Sequence, residues 1–535
     1  MSGVLVLSLS TVIVKIIGLA YKIPMIARLG TEGMGYFNSA YEIYAMLCVI
    51  ATAGLPVALS MLISTHRERG KVGAIRRIWR VALAVFLVIG GLGSLLMLAL
   101  ARPLAGWIGN EGAYLCMMAI APALFFVCFS SAVRGYFQGY GNMVPTAVSQ
   151  LIEAVGKLIF GIWFASIALE RGLSLPAVAA FAVLGLSLGT LLSALYLLLV
   201  RAISPGEASR PVEESGKERH LLTLLRIALP ITVSSAVLSV TRLVDMTLIM
   251  RRLQAIGVSA AEANSIYGAY TTLAVPVFGL IPSLITPISL ALVPQLSAAI
   301  ESRTADGQAA VSDQAIRLTV LLAMPASLGI ATYAKPILNL LFADEPDAVA
   351  LAAPLLSLLG VSILFSGLIT TTGAILQSYR KTGKPIVSMA VGALIKTVSA
   401  YLLIGLPSVG VYGAPISTFF CNLTITAMNF WFLGSCIPKS RLASGMLQTY
   451  GKPLAASVLA ILASVAVYLP IEAVTDSGTA AFLAAFGIAV VCYAALALLM
   501  GVVTETDLAR LPMGERLLGL YRRKKQRKNG DQVGG

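Results

Sequence analysis

The sequence predicts an all-α polytopic membrane protein with fourteen transmembrane helices: two like-oriented six-helix lobes, then two extra helices. Three observations carry this reading. The 535 residues are 58% hydrophobic and only 12% charged, with a mean hydropathy of +0.88, whereas soluble domains carry about 25% charged residues. Uninterrupted apolar runs of about twenty residues, enough to cross a bilayer as a helix, recur along the whole chain. The second half of the chain also repeats the first.

The runs fall at 3–27, 36–64, 78–100, 113–137, 146–169, 176–200, 224–250, 266–299, 316–342, 348–376, 386–405, 411–436, 452–470 and 480–502. Barrel strands would be about ten residues long and alternating, so the runs read as helices. The first has neither a basic leader nor an A-x-A-like cleavage site and reads as a retained helix rather than a signal peptide. All six cysteines fall in or beside apolar runs without a C-x-x-C pair, and the two histidines, His66 and His220, lie in charged connections. Neither pattern points to a disulfide framework or a metal site.

Basic residues in the connections set the orientation. With the N-terminus in the cytoplasm, 28 of the 39 Lys and Arg face inward, six face outward (Arg28, Arg102, Arg171, Arg251, Arg252, Lys335), and five lie inside the runs. Arg134 is counted with the inward connections. This places both termini in the cytoplasm and the chain in a cytoplasmic membrane. The asymmetry accounts for the net charge of +15 without nucleic acid, and "YRRKKQRKN" in the tail reads as an anchor to anionic lipid.

The repeat shows in "QGYGNMVPTAVSQLIEAVGK" from Gln138 and "QSYRKTGKPIVSMAVGALIK" from Gln377. At an offset of 239 they share Gln138/Gln377, Tyr140/Tyr379, Val148/Val387, Ser149/Ser388, Ala154/Ala393 and Lys157/Lys396. "ARPLAGWIG" at 101–109 answers "AKPILNLLF" at 334–342, and Pro56 answers Pro287. Matches in order, at a slowly growing offset, indicate duplication. Runs 1–6 therefore match runs 7–12, and an even number of spans puts both copies in one orientation. The expected divisions are a lobe at 1–201, a polar linker at 202–222, a second lobe at 223–437, two further helices at 438–502 and a basic tail at 503–535.

"KIPMIARLGTEGMGYFNSAYEIYAMLCVIATAGLPVALS", "RGYFQGYGNMVPTAVSQLIEAVGK" and the 6 + 6 + 2 plan resemble the multidrug/oligosaccharidyl-lipid/polysaccharide exporter superfamily. Within it the chain is most similar to the polysaccharide-biosynthesis and stage V sporulation protein B branch, which includes MurJ-like lipid II flippases. The resemblance implies movement of an undecaprenyl-diphosphate-linked saccharide from the inner to the outer leaflet, without ATP hydrolysis and without a cofactor beyond a coupling Na+ or H+. It implies basic residues on the first helix facing a central cavity, which Lys15 and Arg28 match. It also implies an apolar groove for the prenyl tail at runs 13 and 14. The second helix departs from the Gram-negative flippase pattern: it begins "YFNSAYE", with Glu42 as its only charge.

The residues themselves pose a question that this function would answer. A cation at mid-bilayer costs at least about 2.5–3.5 kcal/mol on insertion scales, yet Lys15, Lys22, Lys157, Arg242 and Lys396 lie within the runs, against only Glu42, Glu153 and Asp245. Diphosphate oxygens accept charge-assisted hydrogen bonds from such cations, so Lys15, Arg28, Arg242, Lys396 and Lys157 are candidate diphosphate ligands. Glu42, Asp245 and Glu153 are candidates for coupling an ion. Two local pairings compete with these roles: Glu153 with Lys157, four residues apart, and Arg242 with Asp245, three apart. Lys15 either faces a hydrated cavity or pairs with Glu42, and Lys22 either points inward or snorkels to the outer surface. Pro24, Pro56 and Pro287 are expected to bend helices. The alternatives are an ion-coupled organic-cation antiporter of the same superfamily and a membrane glycosyl or phosphoglycosyl transferase. Against the transferase, D-x-D, P-loop and nucleophile-elbow motifs are missing from the sequence, and no catalytic residue is expected. The partner expected is a lipid-linked oligosaccharide, with the protein acting as a monomer.

Overall fold

A computed structural model describes residues 3–204, 220–286, 296, 305–436, 447–475 and 477–501, and the regular structure among them is helical. The helices are α1 Gly3–Thr52, α2 Leu55–Glu68, α3 Val72–Ile108, α4 Ala113–Gly139, α5 Val144–Glu170, α6 Leu175–Ile203 and α7 His220–Ala255. α8 starts at Ala260–Ala269 and runs through a π turn, Tyr270–Ala274, as far as Thr286. α9 Ala305–Leu341, α10 Pro346–Ser378, α11 Gly383–Ile404, α12 Gly413–Leu433, α13 Lys452–Thr475 and α14 Gly478–Leu499 complete the set. Pro287, most of the 202–222 linker and the basic tail lie outside the described residues.

The fourteen apolar runs all appear, but the first two share a helix. At 1.5 Å per residue the 50 residues of α1 would extend about 75 Å, more than twice the hydrocarbon thickness. The chain breaks this length at Gly30, whose φ of 61° and ψ of −175° belong to a region that is essentially glycine's alone. One limb of α1 ends there, and the other turns back and continues into α2. Among the described residues, twelve helical stretches are long and apolar enough to span a membrane, the first of them the doubled Ser10–Glu68. α7, 36 residues long, supplies the remaining run.

The expected bends fall differently. Pro24 sits inside α1 without disturbing its dihedrals, while Pro56 opens α2, where its missing N–H costs nothing. α9 is kinked at Tyr333, in the turn before Pro336, whose ring clashes with the carbonyl four residues earlier.

The described chain forms two compact units. The first comprises 1–276, 341–355 and 389–420; the second comprises 277–340, 356–388 and 421–535. In the first, α5 and α6 pack through glycines. Gly156 faces Gly189 and Gly161 faces Gly185, so closely that a Cβ on any of them would meet the other helix or a side chain held against it. Small residues let backbones approach where lipid offers no hydrophobic drive to association. In the second unit, Val320, Leu368, Leu376 and Leu433 form an apolar core. A polar ladder crosses it, with the Thr319 and Thr371 hydroxyls bonded at 2.6 Å and Ser327 donating to the Gly360 carbonyl at 2.7 Å. α13 and α14 dock on α9 through phenols: Tyr333 bonds Ser464 at 2.7 Å, and Tyr493 donates to the Leu321 carbonyl at 2.8 Å.

Candidate functional site

The charges concentrate in the first unit. A cavity of about 430 Å³ lies among α1, α4, α5 and α6, and Lys15, Tyr21, Tyr41, Arg134, Glu153 and Lys157 are among its lining residues. Lys15 sits halfway along the first limb of α1, exposed on the cavity side, and makes no hydrogen bond or ion pair among the described residues. Its pairing with Glu42 is not formed.

Arg134 corrects the sequence reading twice. It lies inside α4 rather than in a connection, and it takes the carboxylate expected to serve Lys157. Its Nη2 donates to Glu153 Oε2 at 2.9 Å and to Ser193 Oγ at 3.1 Å, while its Nε donates to Ser149 Oγ at 2.9 Å. The planar guanidinium fork can serve three acceptors on two helices at once, which a lysine ammonium on the same helix as the acid cannot match. Lys157 rests instead on aromatic rings, its Nζ lying 4.8 Å from the ring centre of Tyr21, 5.0 Å from Tyr41 and 5.7 Å from Phe37.

A second cluster joins α1, α7 and α11. Lys396 donates to Asp245 Oδ2 in a salt bridge whose side chains are only 14% and 21% exposed. The expected Arg242–Asp245 pair is thereby replaced; the Arg242 guanidinium contacts Ser239 Oγ at 3.3 Å. Glu42 interacts electrostatically with Arg242, Lys22, Asp245 and Lys396. Lys22 does not snorkel outward. Its Nζ donates at 2.8 Å to the carbonyl of Thr271, within the π turn, where widened i→i+5 pairing interrupts the regular ladder. Arg28, two residues before the Gly30 break, donates to Ser166 Oγ and to the Pro24 carbonyl, each at 2.9 Å.

The four sequence-predicted cations Lys15, Lys157, Arg242 and Lys396 thus divide between the cavity and the α1–α7–α11 cluster, and Arg28 stands apart near the end of its limb. Within the apolar runs, with Lys22 and Arg134 included and Arg28 left out, six cations meet three acids, and two of the acids are held in ion pairs.

Beyond Lys22, a polar seam closes one end of this unit. Asn264 of α8 donates to the Glu32 carbonyl and accepts from Asn110, both at 2.8 Å, and Asn110 also reaches Ser39 Oγ at 2.9 Å. The Thr31 and Ser265 hydroxyls bond each other, and Asn38 donates to Thr271 and Thr272. Arg251 and Gln254 of α7 bond the terminal carbonyls of α3 at Gly106, Trp107 and Gly109, groups that a helix end leaves unsatisfied.

Comparison with known proteins now bears on this arrangement. Residues 1–300 match the family described as polysaccharide biosynthesis protein, and residues 230–402 match the MatE family. Stage V sporulation protein B of Bacillus subtilis is 26% identical over 528 residues, covering 97% of this chain and 98% of the relative. The lipid II flippase MurJ of Bacillus subtilis is 29% identical over 422 residues, covering 74% and 76%. Among solved structures, lipid II flippase MurJ in an inward closed conformation aligns with a TM-score of 0.71 at 13% identity, covering 95% of this chain and all of that one. An inward-facing multidrug resistance MATE family transporter aligns at 0.66 and 16% identity, covering 83% and 100%. The chain belongs to the polysaccharide biosynthesis protein family of the multidrug/oligosaccharidyl-lipid/polysaccharide exporter superfamily of membrane transporters.

Proposed function

We propose that this transporter is a flippase for an undecaprenyl-diphosphate-linked saccharide, with the peptidoglycan precursor lipid II as its leading substrate, carried from the inner to the outer leaflet by alternating access. One observation carries the reading: cations outnumber acids at membrane depth, and Lys15 faces a cavity whose lining acid, Glu153, is already held by Arg134. An ammonium in that position is stabilised by an anion that comes and goes, and a diphosphate offers several charged oxygens at once. The relatives named for lipid II and sporulation support the substrate class. An organic-cation antiporter would set acids in excess along the same path, the opposite of what this chain carries.

In this reading the termini are cytoplasmic, the basic tail holds anionic lipid, and the protein works as a monomer. Glu42, and Asp245 once released from Lys396, take up the coupling Na+ or H+. The experiment is reconstitution in liposomes loaded with undecaprenyl-diphosphate-linked saccharide. Outer-leaflet appearance should rise above protein-free vesicles and respond to a Na+, H+ or electrical gradient. Transport of organic cations in the same vesicles, with no movement of the lipid, would overturn the assignment.

A further inference from the structure

Lys157 occupies the kind of site that proteins use to bind organic cations. Three rings from the two limbs of α1, Tyr21 before the Gly30 break and Phe37 and Tyr41 after it, surround its Nζ at 4.8, 5.7 and 5.0 Å. Tyr21 and Phe37 lie 6.1 Å apart at 49° across the Gly30 break, and Phe37 and Tyr41 lie 6.4 Å apart at 19°, so the rings form one wall built from the two limbs of α1. Tyr21 and Phe37 are 2% and 3% exposed, which removes the water that would weaken the attraction. The ring faces carry the negative part of the aromatic quadrupole, and cages of this composition recognise quaternary ammonium groups. This one opens on the cavity, because Tyr21, Tyr41 and Lys157 all line it.

The lysine has an evident alternative. Glu153 lies four residues before it, at a spacing that favours a pair with the acid N-terminal. That carboxylate is held by Arg134, which leaves the ammonium to the rings. Lys22 sits close enough to Lys157 for their charges to repel, so electrostatics alone would not draw a cation to this spot. A flexible lysine stem carries one there as an intramolecular ligand.

We infer that Lys157 plugs a cation-binding cage with the chain's own ammonium and so determines charge selectivity: the rings that would admit an organic cation are filled, and the cavity presents positive charge instead. The inference goes beyond the substrate assignment and holds whichever anionic lipid is carried.

The test uses the full-length protein in detergent, titrated calorimetrically with tetramethylammonium chloride against sodium chloride at matched ionic strength. Wild type should show no saturable binding. Lys157→Ala opens the cage and should bind tetramethylammonium at least about thirtyfold more tightly than wild type, as expected of a desolvated cation–π site. Lys157→Met, which refills the space without charge, should stay closed, and adding Tyr41→Leu to Lys157→Ala should abolish binding. Folding is judged by a monodisperse elution profile, and Lys157→Ser serves as a second opening variant. A separate measurement needs no variant: reductive methylation of wild type, mapped by mass spectrometry, should label Lys15 and spare Lys157. Equal labelling of the two lysines, saturable binding by wild type, or no binding by folded opening variants would overturn the inference. Binding by Lys157→Met as tight as by Lys157→Ala would overturn it too, because the plug would then be no barrier.

Discussion

Glu153 is bonded to Arg134 at 2.9 Å, nineteen positions away on another helix, although Lys157 stands one turn along its own helix. The bonds to Ser149 and Ser193 explain the choice: the guanidinium reaches three acceptors where they converge. Removing one partner of such a pair leaves the other's charge uncompensated at the cavity wall, where the two side chains are 13% and 30% exposed, which costs more than the pair itself contributes. Glu153→Gln should therefore destabilise the protein by about 3 kcal/mol, whereas Lys157→Met, which strands no carboxylate, should cost clearly less. Thermal unfolding of the two purified variants checks the order, and equal losses would put Glu153 back with Lys157.

Glu42 and Asp245, grouped by the sequence as ion-coupling acids, now separate. Asp245 is the bonded partner of Lys396, while Glu42 interacts through charge with Arg242, Lys22, Asp245 and Lys396. Glu42→Gln should leave the melting temperature near wild type and weaken the dependence of transport on an ion gradient. Asp245→Asn should lower the melting temperature, because the Lys396 ammonium loses its carboxylate. Gradient-dependent flux in liposomes and unfolding in detergent, measured on both variants, decide this. If Glu42→Gln transports normally under every gradient, coupling resides elsewhere.

The contrast marks what could be read from residues alone. Span number was legible because twenty apolar residues in a row have few other uses, and the duplication was legible because it preserves order. The Lys157/Lys396 match emerged the same way, but the fates of the two lysines did not. The position equivalent to Glu153 in the second repeat is Gly392, so Lys396 finds its acid on another helix and Lys157 finds rings. Arg134 was hidden by its place three residues from the end of an apolar run, where a connection and a last helical turn look alike. The single helix running through Gly30 was hidden because glycine signals a break without saying how the two limbs are assigned. The seam was beyond reach altogether, since Asn264 and Glu32 lie 232 positions apart and nothing in either local sequence names the other.

That seam must part if access alternates. Thr31 and Ser265 face each other with their hydroxyls bonded, and Gly268 lies against the Thr31 carbonyl, so cysteines at 31 and 265 are within disulfide reach. In a protein stripped of its native thiols, oxidising Thr31→Cys/Ser265→Cys should arrest lipid transport, and reduction should restore it. Lipid binding measured in detergent should survive the cross-link. Undiminished flux by the cross-linked protein would show that the seam is a static part of the first unit.

Lys15 carries the functional reading and permits the sharpest measurement. Among the described residues its ammonium has no partner, so Lys15→Ala strands nothing there and should fold and elute like wild type. If the ammonium contacts a diphosphate, the variant loses one charge-assisted hydrogen bond of about 1.5–3 kcal/mol, which weakens lipid-diphosphate binding roughly ten- to hundredfold. Lys15→Arg keeps the charge and should retain most of the affinity; Lys15→Glu should lose more than alanine does, because it adds repulsion to the lost bond. Lys396→Ala offers the comparison within the same molecule: it removes the salt bridge to Asp245, so its defect should appear in stability as well as in binding. Titrating all four variants with undecaprenyl diphosphate, alongside their melting temperatures, separates the two effects. A folded Lys15→Ala protein with unchanged affinity would remove the diphosphate from the cavity and shift the search for its site to the α1–α7–α11 cluster.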